Sequence, residues 1–137
     1  MSLLRPIVLL MVLVLCGATF VGCNSNSGDE AIVEDPFQWT WVGNDFFNET
    51  QESIFIWNSS LTDVVLVEFK GDPFEGLVNV RVFDGAGLRI FDEDYQSLGL
   101  VDIRETDFTA PALAGNWTIK IDLTNVTGDL RVIVTSL

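Results

Sequence analysis

Carboxylates are the only abundant reactive side chains in this sequence. Its 137 residues include 20 Asp and Glu but only 7 Lys and Arg, and no histidine, so the formal net charge is −13. A histidine general base, a Ser-His-Asp triad and an imidazole metal ligand are therefore excluded. The two cysteines, Cys16 and Cys23, cannot complete a zinc site. Because the charge would repel phosphate backbones, we expect no nucleic-acid partner, and we expect no enzyme because no nucleophile and base pair can be assembled.

The densest run of acids is Asp92, Glu93 and Asp94, which follows a predicted strand. Clustered carboxylates on a loop suit Ca²⁺, which takes six to eight oxygen ligands. We therefore treat these three residues as candidate calcium ligands, and Ca²⁺ as the one cofactor that the sequence suggests. The alternative interpretation is solvated surface charge, because the Asp-x-Asp-x-Asp-Gly spacing of a calcium loop does not occur.

Four tryptophans are many for this length. They are Trp39, Trp41, Trp57 and Trp117. Exposed tryptophans could form a platform that stacks on sugars, as in carbohydrate-binding modules. Each also alternates with apolar neighbours, and a small domain without disulfides needs large side chains in its core. We expect Trp57 and Trp117 to be buried, and we keep Trp39 and Trp41 as candidate ligand-binding residues because their strand could lie at an edge.

Four Asn-x-Ser/Thr patterns begin at Asn48, Asn58, Asn116 and Asn125. They match the acceptor pattern for N-glycosylation and exceed the one match expected by chance. Since Asn and Thr also favour turns and strand edges, structure explains part of this excess. The sequence leaves open whether any of the four is modified.

The first 22 residues have the organisation of a secretory signal. Arg5 precedes the uninterrupted apolar run Ile7–Leu15, and small residues follow it. The apolar stretch reaches about 16 residues, whereas a membrane-spanning helix needs about 20. The segment ends in Phe20-Val21-Gly22-Cys23, which resembles the lipobox of bacterial lipoproteins.

The resemblance to lipoproteins implies that residues 1–22 are removed and that Cys23 carries the lipid. The membrane would then be a partner through this anchor, and the chain would sit in the cell envelope. In Gram-negative lipoproteins, aspartate after the cysteine favours retention in the inner membrane. By that analogy Asn24 favours the outer membrane if the host is Gram-negative.

Residues 23–35 are predicted to be a flexible lipidated tether. Ser, Asn, Gly and four acids follow Cys23, and such a segment buries too little apolar area to offset its chain entropy. The compact domain is then expected at residues 36–137.

The domain is predicted to be all-β, because its dominant hydrophobic period is two. In Asn116–Leu123, apolar Trp117, Ile119 and Ile121 alternate with polar residues. About eight strands are predicted, over residues 37–42, 53–58, 63–70, 77–84, 88–92, 100–105, 116–123 and 130–136. Gly-containing segments between them indicate turns, with a hairpin at residues 84–87. This pattern favours a two-sheet antiparallel β-sandwich of the jelly-roll type.

The last two predicted strands carry a second resemblance. Ala114–Ile121 followed by Thr127–Val134 resembles the end of the jelly-roll-like sandwich domains that follow secreted peptidases, namely the bacterial pre-peptidase C-terminal domain and the P domain of proprotein convertases. No peptidase accompanies it here, so the resemblance implies an accessory module without catalysis.

Three hypotheses for function follow. The first is a lipid-anchored, non-catalytic envelope or surface module that mediates protein interaction or assembly. The second is a tethered carbohydrate-binding module, and the third is a calcium-stabilised adhesin-like domain. The partner is accordingly an unidentified protein or glycan.

Overall fold

A computed structural model describes residues 28–137, which form five β-strands and no helix. The strands are β1 (Asp29–Asp35), β2 (Gln38–Ser59), β3 (Val65–Phe83), β4 (Arg89–Phe108) and β5 (Gly115–Ser136). Their order across the sheet is β1-β2-β5-β3-β4, and all neighbours are antiparallel. The all-β prediction is confirmed. Within the described residues, no helix is long and apolar enough to cross a membrane.

Four of the strands bend near their middle. Strands β2 to β5 are 19 to 22 residues long, well above the usual length of about 5–6 residues. The pairing register shifts between Gly43 and Gln51 in β2 and between Gly71 and Leu77 in β3. Such shifts are β-bulges, which bend a strand and increase its twist. The sheet therefore folds across its own middle into two facing layers.

The first layer contains β1 together with residues 38–43, 65–71, 101–108 and 130–136, and the second layer contains the other halves of β2 to β5. Rings from the two layers meet between them. Trp39 and Phe55 belong to opposite halves of β2, yet their ring centroids lie 5.5 Å apart. Phe69 in the first layer stacks on Tyr95 in the second at 4.1 Å. The predicted sandwich is thus present as two layers of one folded sheet.

The eight predicted strands are the two halves of β2, β3, β4 and β5. The predicted turns at residues 42–45, 71–73 and 127–129 are wrong as chain reversals, because the chain continues through each of them in the same strand. The predicted hairpin at residues 84–87 is confirmed, since it joins the antiparallel strands β3 and β4. Gly, Asn, Asp and Pro favour bulges as well as turns, so composition could not separate the two.

The bends of β2 and β3 share a Gly-x-x-Phe pattern. A Cβ atom on Gly43 would overlap the ring of Phe46, and a Cβ atom on Gly71 would overlap the ring of Phe74. Both phenylalanines are buried. At each bend the absence of a side chain on glycine lets the phenyl ring pack directly against the backbone.

Strand β1 corrects the prediction of a flexible tether for residues 29–35, the part of the predicted tether 23–35 that forms a strand. Asp29–Asp35 pairs in continuous register with Asn44–Gln38 of β2. Its side chains are nearly all exposed, so the sequence lacks the apolar alternation that would have predicted this strand. Backbone pairing and the indole of Trp57, which donates to the carbonyl of Asp35 at 2.7 Å, hold the strand in place. Cys23 and the predicted signal segment 1–22 lie outside the described residues.

Candidate functional site

All four tryptophans lie in the core, each with at most 1% of its surface exposed. This confirms the prediction for Trp57 and Trp117, whose rings meet edge to face at 5.3 Å. It corrects the hypothesis for Trp39 and Trp41, which are fully buried and cannot stack on a sugar in solvent. Strand β1 explains the difference, since it covers the outer edge of their strand and removes the edge position that the sequence suggested.

The candidate calcium ligands lie inside strand β4, not on a loop. Asn79 donates from its side-chain amide to Asp92 at 2.9 Å and to Asp94 at 2.8 Å, and Arg89 pairs with Asp92 at 3.3 Å. Glu93 points to the other side of the strand, because side chains alternate along it. Residues 28–137 contain no group of acids, cysteines or histidines arranged to hold a metal ion. Asp92 therefore contacts the amide of Asn79 and the guanidinium of Arg89, and Asp94 contacts the same amide.

Asp84 is the most buried carboxylate among the described residues, and its role is structural. Its Oδ1 accepts the backbone N–H groups of Ala86 and Leu88, and its Oδ2 accepts that of Leu113. The side chain is 1% exposed. It therefore fixes the β3–β4 hairpin and ties it to the connection before β5.

Two of the four Asn-x-Ser/Thr patterns have a structural explanation. The backbone N–H of Asn48 donates to the Thr127 hydroxyl at 3.0 Å, and that of Asn125 donates to the Thr50 hydroxyl at 3.0 Å. Both asparagines have positive φ angles, 47° and 51°, which asparagine tolerates better than most residues. The two motifs therefore bind each other reciprocally where β2 and β5 bend.

A small polar cavity opens where the three central strands bend together. Its volume is about 100 Å³. We name it the bend pocket; its lining residues are Val42, Asn44, Lys70, Asp72, Asp129, Leu130 and Arg131. They come from β2, β3 and β5, which are neighbours in the sheet. The pairing places Arg131 directly between Val42 and Lys70, so the pocket is a product of sheet register and not of any loop.

The charges of the bend pocket balance. Lys70 and Arg131 oppose Asp72 and Asp129, which gives two formal charges of each sign. Lys70 reaches Asp72 at 3.4 Å, and the backbone N–H of Asp45 donates to Oδ1 of Asp129 at 2.8 Å. Within residues 28–137, Arg131 takes part in no ion pair. The pocket therefore offers a free guanidinium, two partly solvated carboxylates and the side-chain amide of Asn44.

This set of groups suits a neutral ligand that both donates and accepts hydrogen bonds. Carboxylates accept hydrogen bonds, Lys and Arg donate them, and an amide does both. Since one water takes about 30 Å³, the cavity holds the equivalent of about three waters. It is smaller than the roughly 300–1,000 Å³ of a pocket that encloses a whole ligand. It can receive the hydroxyl-bearing edge of a larger molecule that lies across the surface.

The bend pocket was not predicted from the sequence. Its polar residues occur in three segments far apart in the chain, and each of those segments overlaps a stretch that was interpreted as a turn. A cross-strand row of basic residues in an acidic chain was the available signal, but it emerges only when the β2–β5–β3 register is known.

No protein-family model matches the chain, and no curated protein was found to be similar in sequence. Several solved structures resemble it in fold. A CBM4 structure matches with a TM-score of 0.45 and 11% identity over 82% of this chain and 79% of that chain. A carbohydrate binding module, CBM6cm-2 from Cellvibrio mixtus lichenase 5A, matches with a TM-score of 0.42 and 9% identity over 77% and 86%.

An enzymatic domain also resembles the fold. The enzymatically active domain of tailspike protein 4 from bacteriophage CBA120 matches with a TM-score of 0.44 and 11% identity, over 82% of this chain and 19% of that chain. At identities of 9 to 11% and TM-scores below 0.5, these similarities carry no information about the ligand of this chain.

Proposed function

We propose that this chain is a non-catalytic glycan-binding module, anchored to the cell envelope through a lipid on Cys23. The bend pocket carries the proposal. It brings Arg131, Lys70, Asp72, Asp129 and Asn44 together at one polar cavity with balanced charge. A sugar matches this set, because each of its hydroxyl groups can donate one hydrogen bond and accept others.

The pocket residues make different kinds of contact with a sugar. Arg131 and Lys70 donate to hydroxyl and ring oxygens, while Asp72 and Asp129 accept from hydroxyl groups. Val42 adds an apolar contact at the first-layer side. Because positive and negative groups are equal in number, an uncharged sugar is preferred over an acidic one.

The test of glycan binding is a panel of neutral oligosaccharides, followed by calorimetry on the best ligand with wild type, Arg131→Ala and Asp72→Asn. Removing a hydrogen bond to a charged group costs about 1.5–3 kcal/mol, so we expect each variant to weaken binding at least about tenfold. Arg104→Ala is the matched control, since Arg104 lies opposite Lys70 in the same cross-strand row but outside the pocket. No binding across the panel, or equal affinity of Arg131→Ala and wild type, would contradict the proposal.

The lipid anchor rests on Phe20-Val21-Gly22-Cys23 after the apolar segment. Blocking lipoprotein maturation with globomycin, or changing Cys23→Ala, should leave an unprocessed precursor at the membrane. Normal processing of the Cys23→Ala chain would refute the lipid anchor, and it would leave the proposal of glycan binding unaffected.

The start of β1 limits how far an anchored domain can stand from the bilayer. From Cys23 to Asp29 there are six residue steps, which span at most about 20 Å when fully extended. The predicted spacer of residues 23–35 would have allowed roughly twice that distance. An anchored domain would therefore bind glycans that lie close to the membrane surface.

A further inference from the structure

Strand β4 is a long edge of the sheet. It hydrogen-bonds only to β3 among the described strands, over a length of 20 residues. On its other side the backbone N–H and C=O groups have no strand partner within residues 28–137, although the carbonyl of Ile90 accepts the N–H of Ala110. Such a row is a template for pairing with a further strand.

The same edge exposes apolar side chains at its bend. Leu98 is 94% exposed, and Leu100 and Val101 are about half exposed. These residues lie where the pairing with β3 is interrupted between Ser97 and Val101. A partner that covered the edge would remove this apolar surface from water, which favours binding.

The negative charge of β4 favours a partner of positive charge. The strand carries six acids and two arginines, a formal charge of −4. A second copy of the chain would place acids opposite acids, which is unfavourable for cross-strand neighbours. A strand rich in lysine or arginine would meet complementary charge.

Two acids of the edge are positioned to receive a cation. Glu93 pairs with buried Val80 and Glu105 with buried Phe69, so both exposed carboxylates lie at the open edge of the face between the layers. Their charges lie near the buried phenol of Tyr95. Neither forms an ion pair or a side-chain hydrogen bond within the described residues, whereas Asp107 accepts a hydrogen bond from Tyr95 at 3.3 Å. Burial, followed by the nearby charges of Asp107, Glu93 and Glu105, raises the pKa of Tyr95 above its usual value.

We propose that β4 binds a basic, extended segment of another protein as a sixth strand, with one lysine or arginine side chain of that segment between Glu93 and Glu105. Backbone hydrogen bonds supply affinity in this mode of recognition, and side chains supply specificity. The site is independent of the bend pocket. Since β1 and β4 form opposite edges of the sheet, a chain anchored through the segment before β1 keeps this edge accessible.

The probe is a synthetic peptide of alternating lysine and threonine, measured by calorimetry against the full domain. The same peptide with glutamate in place of lysine should not bind. The double variant Glu93→Gln/Glu105→Gln should weaken binding at least tenfold. The control Glu34→Gln/Glu52→Gln removes the same charge from β1 and β2 and should change affinity less than twofold.

Two N-methylated peptides test the strand pairing itself. Methylation at odd positions removes the N–H donors of one peptide edge, and methylation at even positions removes those of the other. One of the two should lose binding and the other should keep it. The proposal is overturned if the lysine peptide does not bind, if both methylated peptides bind as well as the parent, or if the control variant weakens binding as much as the β4 variant. If the β4 variant still binds sugar, a loss of peptide binding is distinguished from a loss of glycan binding at the bend pocket.

Discussion

At the scale of single residues, the carboxylate of Asp84 makes the strongest prediction about stability. It accepts three backbone N–H groups in a position that is 1% exposed. Leaving a buried donor unsatisfied costs about 1–3 kcal/mol, so we expect Asp84→Ala to lower the free energy of unfolding by about 3 kcal/mol or more. Urea denaturation measures this, with Asp102→Ala on the exposed β4 edge as a control within about 0.5 kcal/mol of wild type. A loss below 1 kcal/mol would show that water replaces the carboxylate.

Glu30 predicts a dependence on pH. Burial raises its pKa, as does the charge of Glu49, against hydrogen bonds from Trp41 and Gln51 that lower it. A raised folded-state pKa means that the folded state binds the proton more tightly, so the stabilisation is complete at low pH and is lost as pH rises through that pKa. Glu30→Gln should therefore gain stability relative to wild type as the pH rises above the ordinary glutamate pKa of 4.5. The exposed Glu34→Gln serves as the control; an equal response of the two variants to pH would contradict the assignment.

At the scale of elements, the sequence predicted strand identity well and strand continuity poorly. The period of two located both halves of β2 to β5, although residues 101–108 of β4 are only half-buried or exposed. Val42-Gly43-Asn44-Asp45 and Gly71-Asp72-Pro73 have turn composition, yet the chain bends there without reversing. Residue propensity indicates where the backbone departs from a flat strand. Whether the chain bends or reverses there depends on packing between the layers. Strand β1 escaped detection because it is held by backbone pairing and buries almost no side chain.

The packing of glycine against phenylalanine at the bends gives an element-scale prediction. Gly71→Ala would overlap the ring of Phe74, and such overpacking typically costs about 1–3 kcal/mol. In a Phe74→Leu background the same change should cost at least about 1 kcal/mol less, because residues in direct contact are coupled. Gly99→Ala is the control, since a Cβ there meets no atom within 4 Å. Additive effects in the double-mutant cycle would contradict the proposed role of this contact.

At the scale of the whole molecule, the folded sheet separates two surfaces with different chemistry. The bend pocket has balanced charge and belongs to the central strands, whereas the β4 edge is acidic. From the sequence, a glycan was expected as one of two alternative partners, with Trp39 and Trp41 as its binding residues, but both side chains are buried in the core. Predicting the bend pocket would have required the strand register, because Arg131, Lys70 and Asp129 become neighbours only through pairing of β5 with β3. The acids of β4 were found as a cluster, and their division between the two faces of a strand required the structure.

Binding of a neutral glycan at the bend pocket can be mapped by following backbone amide NMR shifts during titration with the best neutral oligosaccharide. We expect the largest shifts at residues 42–44, 70–72 and 129–131, and we expect them to disappear in Arg131→Ala while the rest of the spectrum is unchanged. Largest shifts confined to the β4 edge or to the outer face of the second layer would contradict binding at the bend pocket, even if the glycan binds tightly.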